Sequence, residues 1–149
     1  MRLRPAALLF LFASLAAPAA AQTTTYSYGF RVGASVEPDQ FYFGAHAETA
    51  PLIDNLHFRP NVEIGVGNDV TLVGINFELA YKFPTQQAWR PYAAAGPALN
   101  IVRSHGESDA QGGFNIALGI EHRGGLFAEV KVGAMDSPDF KFGIGFRFR

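Results

Sequence analysis

From Tyr26 onward, apolar and polar residues alternate along most of this chain. The last ten residues are the plainest case. Phe140, Phe142, Ile144, Phe146 and Phe148 alternate there with Lys141, Gly143, Gly145, Arg147 and Arg149. A β-strand points successive side chains to opposite faces, so this segment carries one greasy face and one that is charged or bare.

The same period of two predicts seven further strands. They are Tyr26 to Val36, Phe41 to Glu48, Leu56 to Val66, Val70 to Phe83, Trp89 to Val102, Gly113 to Arg123 and Leu126 to Ala134. Glu37-Pro38-Asp39-Gln40, Gly67-Asn68-Asp69, Pro84 to Ala88 and Gly124-Gly125 supply turn chemistry between them. Arg103 to Gly112 reads as the longest and most polar loop, and all six Asp fall in connectors. Val70 and Leu72 have the wrong parity for their strand, which predicts a bulge near Thr71. Pro60 needs a bulge or an unpaired position, and Pro91 and Pro97 make the fifth strand the least regular. Connectors this short imply antiparallel neighbours, because a parallel pair needs a long crossover. The pattern therefore predicts an all-β, eight-stranded antiparallel up-and-down barrel.

Two barrels fit that alternation: a soluble one with its apolar face inward, and a membrane one with the reverse. Of the 12 Phe beyond residue 22, 11 lie on the apolar face, and only Phe127 does not. Eight strands leave an interior just wide enough for side chains, so this many rings fit better outside. The opposite face is dominated by Gly and by charges of both signs: Arg31, Glu48, Arg59, Glu63, Glu78, Lys82, Arg90, Glu121, Arg123, Glu129, Lys131, Lys141 and Arg147. Long paired charges in a crowded tube need Gly between them. Aromatic residues also gather at strand ends. Tyr26, Tyr28, Phe58, Tyr81, Phe83, Trp89, Phe146 and Phe148 fall on one rim, and Phe41, Phe114 and Phe140 on the other. Two such girdles suit the interfaces of a bilayer. The expectation is a transmembrane barrel with its phenylalanines against lipid.

Composition adds location. Arg2 and Arg4, the apolar run Ala6 to Ala17 and Pro18-Ala19-Ala20-Ala21 make a secretory signal peptide over residues 1–21, cut before Gln22. The barrel domain is then residues 22–149. Losing two arginines takes the net charge from −1 to −3, which gives no footing for nucleic acid. Cysteine is absent, so there is no disulfide or thiol chemistry.

Segments such as Leu79-Ala80-Tyr81-Lys82-Phe83 followed by Trp89-Arg90-Pro91-Tyr92, and the closing Gly143-Ile144-Gly145-Phe146-Arg147-Phe148, carry a resemblance. Over Tyr26 to Arg149 the chain resembles the small eight-stranded outer-membrane barrels of Gram-negative bacteria: the OmpA transmembrane domain, OmpX, OmpW-like and opacity-type proteins. The resemblance implies a bacterial outer-membrane location, outer-membrane lipids as surroundings and recognition of the C-terminal strand by the barrel-assembly machinery. In that family the last residue is usually aromatic; here Phe148 is penultimate and Arg149 is last.

The thirteen inward charges are expected to form a structural plug of ion pairs, since an unpaired charge in a narrow lumen is costly. With a tight Gly124-Gly125 hairpin, Glu121 lies roughly opposite Glu129, and Glu129 is expected to bridge to the eighth strand. The functional reading is a structural or surface protein with no catalytic residues, cofactor or metal. Its alternatives are a narrow channel for small solutes and a soluble lipid-binding barrel of the envelope. A lipid-modifying barrel enzyme is carried by fold analogy. His46 and His57 with Glu48 and Glu63 could hold a metal, but their spacing is loose. Ser104 to Asp109 holds Ser, His and acids without evidence of orientation.

Overall fold

The computed structural model describes residues 26–148. The signal-peptide expectation for residues 1–21 lies outside the described residues. Eight strands follow in order: β1 (Tyr26–Val36), β2 (Gln40–Thr49), β3 (Leu56–Gly67), β4 (Val70–Lys82), β5 (Trp89–Ser104), β6 (Glu107–His122), β7 (Leu126–Met135) and β8 (Phe140–Phe148). Each pairs antiparallel with its sequence neighbours, and β8 pairs back onto β1 to close a barrel.

Closure carries a stagger. Tyr26 lies opposite Thr49, whose hydroxyl accepts from the Phe58 amide. From Phe58 the partners run through Leu79, Ala95, Ile116, Val132 and Phe140 and return to β1 at Val36, ten residues from the start. That offset tilts the strands and sets a bore of side-chain width.

The faces are as the alternation requires. Phe41 is 80% exposed and Tyr28 61%, while Arg31 and Glu63 are 1% exposed. Tyr28, Tyr81, Phe83, Trp89 and Phe148 are exposed toward the end that carries the chain termini; Phe41 and Phe140 are exposed at the other. Phe127 points inward and is buried, against the rule for the other phenylalanines. The inner wall approaches its contents closely. A methyl at Gly119 would run into the Tyr92 ring, and one at Gly143 into the Tyr42 hydroxyl.

Four local expectations are corrected. Arg103 to Gly112 is not a loop: β5 and β6 continue through it, with Arg103 opposite Ser108 and Ser104 opposite Glu107. Only His105 and Gly106 turn, with φ of 50° and 79°, which matches the twist of a two-residue hairpin. Asp109 consequently lies in a strand rather than a connector. No bulge forms near Thr71. The β3–β4 register is unbroken from Gly67↔Val70 to Leu56↔Tyr81, and Leu72 keeps its parity by pointing inward, buried. The β6–β7 connector is three residues, Arg123 to Gly125, so Glu129 lies opposite Gly119 and Glu121 opposite Phe127.

The prolines sit where ladders stop. The β2–β3 pairing ends at His46↔Asn61, next to Pro60. The β4–β5 pairing lapses between Asn76↔Ala98 and Leu79↔Ala95, across Gly96 and Pro97. A residue with no amide hydrogen costs least at such a gap.

Candidate functional site: the charged bore

The residues with chemistry face the bore, and they form three groups along it. The middle group is a closed ring of six alternating charges. Arg31 (β1) meets Glu129 (β7) at 2.9 Å, and Glu129 meets Arg59 (β3) at 2.8 Å. Arg59 meets Glu78 (β4) at 2.9 Å, and Glu78 meets Lys131 (β7) at 2.5 Å. Lys131 reaches Glu63 (β3) at 3.4 Å, and Glu63 returns to Arg31 at 3.6 Å. Lys141 (β8) is paired to Glu63 as well, and the Tyr92 hydroxyl donates to Glu129 at 2.6 Å. Aromatic faces complete the packing: Tyr92 under Arg59 at 4.9 Å, Tyr42 under Lys141 at 4.3 Å and Phe127 under Arg31 at 5.5 Å.

Toward the termini a second group links the even-numbered strands. Glu48 (β2) pairs with Lys82 (β4), which lies 3.0 Å from Glu121 (β6), which pairs with Arg147 (β8). Arg90 approaches Glu121 at 3.6 Å from a partly exposed position at the mouth. His57 lies 3.7 Å from Glu48, and its Nδ1–H donates to the Thr49 carbonyl at 2.8 Å. Toward the other end the bore turns neutral. Asn115 donates to Asn76 at 2.8 Å, and Asn76 donates to Asn61 at 2.7 Å. Gln40 donates to the Val70 carbonyl, Asn100 to the Asp136 carbonyl and Ser35 to the Pro38 carbonyl.

Eleven of the thirteen expected charges are thus brought into the two ionic groups, and Arg90 joins them at the mouth. Arg123 does not. It is exposed on the β6–β7 turn and donates to the Gln86 carbonyl at 2.5 Å. The expected bridge from Glu129 to the eighth strand is also corrected: its partners are on β1, β3, β5 and β7, while the β8 cations pair with Glu63 and Glu121. Glu121 lies opposite Phe127, two positions short of Glu129, and takes Arg147 as its β8 partner. His46 and His57 are not brought to a common point with acids; among the described residues no group of three His, Asp or Glu is placed to hold a metal ion. Tyr42, Tyr92 and the Asn chain were not expected as members of the site. Their only signal is parity, since each sits at a polar position of its strand.

Such a network costs desolvation for every ion, and its geometry must repay that. Here each ring carboxylate faces more than one cation, and each ring cation faces two carboxylates or more. The excess is positive: Arg31, Arg59, Lys82, Lys131, Lys141 and Arg147 face Glu48, Glu63, Glu78, Glu121 and Glu129.

No family model matches the chain, and no curated protein matches it. Solved structures do. Neisserial surface protein A superposes with a TM-score of 0.69 at 17% identity, over 85% of this chain and 98% of that one. The N-terminal β-barrel domain of Pseudomonas aeruginosa OprF gives 0.58 at 17%, over 85% and 100%. The outer membrane enzyme PagL gives 0.53 at 12%, over 82% and 98%. The chain shares the fold of these small outer-membrane barrels.

Proposed function

We propose that this protein is exported through a signal peptide over residues 1–21 and spans a bacterial outer membrane, where it serves a structural or surface role with its bore closed by ion pairs. One observation carries the reading: the apolar face of every strand is outside and the ionic face inside. A water-soluble barrel of this size would expose the charges and bury the rings. The outward residues run from Val73 on β4 to Phe83 just past its end, which at ~3.3 Å per residue and a tilt of about 40° spans about 25 Å, the height of an apolar belt. Barrel-assembly machinery would read the β8 strand, and outer-membrane lipids would cover the belt. The likeness to PagL supports the fold alone and lends no catalytic residue.

The closed bore follows from the alternating ring. An ion entering it must break pairs that are already desolvated. In planar bilayers the folded protein gives no conductance steps; discrete steps would turn the reading to a narrow channel. For the membrane placement, Leu118→Arg on the outer face costs roughly 2–4 kcal/mol of folding stability in a bilayer. A cost within about 0.5 kcal/mol, as for a water-exposed site, would sink the outer-membrane reading.

A further inference from the structure

At the terminal end of the bore lies a cavity of about 200 Å³ that the charge network does not fill. Thr85 on the β4–β5 connector, Arg90, Glu121, His122, Arg123 and Arg147 line it. Three arginines and one carboxylate therefore share its lining. That carboxylate is already committed: Glu121 pairs with Arg147 and lies 3.0 Å from Lys82.

The arginines are not. A guanidinium carries five N–H donors in a planar fork. Arg147 directs Nε at Glu121, and Arg123 directs one Nη at the Gln86 carbonyl. Arg90 stands 3.6 Å from Glu121, too far for a good hydrogen bond, and makes none among the described residues. His122 accepts from the Gly124 amide through Nδ1 at 3.0 Å, which leaves Nε2 as its donor, and its ring stacks edgewise on Trp89. The mouth thus has surplus positive charge, unspent donors in fork geometry and room for a small anion. Forked guanidinium donors match phosphate oxygens two at a time.

We propose that this cavity binds a phosphate group, with Arg90 and Arg123 as its principal holders and the unspent edge of Arg147 behind them. The group is a phosphate ester, supplied either in solution or by a lipid headgroup at the rim where Trp89 is exposed. The site does not depend on the bore being closed.

The full chain, folded in detergent and labelled with ¹⁵N, is titrated with inorganic phosphate while the Arg90, Arg123 and Gly124 resonances are followed. Saturable shifts at these residues are expected. Arg90→Gln and Arg123→Gln each weaken the binding about tenfold, the value of one charge-assisted contact. Both side chains lie outside the buried ring, and gel mobility without boiling confirms that the variants fold. Shifts that grow linearly without saturation, or saturable shifts that survive in the double variant, overturn the site. The source is then read in phosphatidylcholine nanodiscs. If added phosphatidic acid moves the same resonances and weakens the phosphate titration, a lipid headgroup is the ligand. If it does neither while phosphate still binds, a soluble ester is.

Discussion

The two halves of the bore are held by different chemistry. From the ring to the terminal mouth, ionic side chains reach across the tube and tie strands that are not neighbours: β1 to β7, β3 to β7, β2 to β4 and β6 to β8. Toward the other end, neutral amides bond in single file, and several finish on backbone carbonyls of connectors and strand ends. The ionic half is redundant, because every carboxylate but Glu48 serves two or more cations. The amide half is not, because most of its bonds are made once. Redundancy protects against a weakened contact. It does not protect against a lost charge, which weakens every partner at once.

That contrast predicts its own largest effect at Glu129, the carboxylate with the most partners. Glu129→Ala leaves Arg31, Arg59 and Lys131 to share only Glu63 and Glu78 and removes the acceptor of Tyr92. Removing one partner of a buried ionic set costs roughly 3–5 kcal/mol. Urea unfolding of the refolded protein in detergent measures it. Glu129→Gln keeps the shape but not the charge, and it should lie between wild type and Ala. Equal stability of all three would mean that the ring is ornamental.

The amide half should break more gently. Asn76 receives from Asn115 and donates to Asn61, so Asn76→Ala leaves a donor and an acceptor unmet in a dry site. The expected cost is about 1–3 kcal/mol. Amide hydrogen exchange should show the loss concentrated near β3, β4 and β6, whereas Glu129→Ala should loosen the barrel as a whole. A uniform loss from both would erase the distinction between the two halves.

How far the sequence foretold this follows from the kind of information each feature needs. Strand parity needs only a period of two, so the outward rings, the inward charges and even the exception Phe127 were legible. Pairing along the sheet needs the connector length as well. A three-residue turn at Arg123–Gly125, read as a two-residue one, displaced the β6–β7 register and with it the predicted partner of Glu129. Pairing across the bore needs the stagger of the closed barrel, which no local spacing encodes. Glu129 meets Arg59 seventy positions away in the chain because closure brings β3 and β7 to face each other. The polar hairpin at Ser104 to Glu107 was misread for another reason: protruding strands have no buried face, so they lose the alternation by which strands are recognised.

The smallest effect sharpens the comparison within the ionic half itself. Arg90 belongs to the same group as Lys82 and Arg147, yet its side chain is 35% exposed and its approach to Glu121 is long. Water and salt screen a pair at the mouth, and an exposed ion pair contributes about 0–1 kcal/mol. Arg90→Gln should therefore leave the unfolding midpoint nearly unchanged, and raising the salt concentration should erase any residual difference. Lys82→Gln, one step deeper on the same carboxylate, should be costly and insensitive to salt, since 2% of that side chain meets solvent. If Arg90→Gln proved as damaging as Lys82→Gln, depth would not govern the network, and the mouth would have to be counted as part of its buried section instead of as its solvent-facing end.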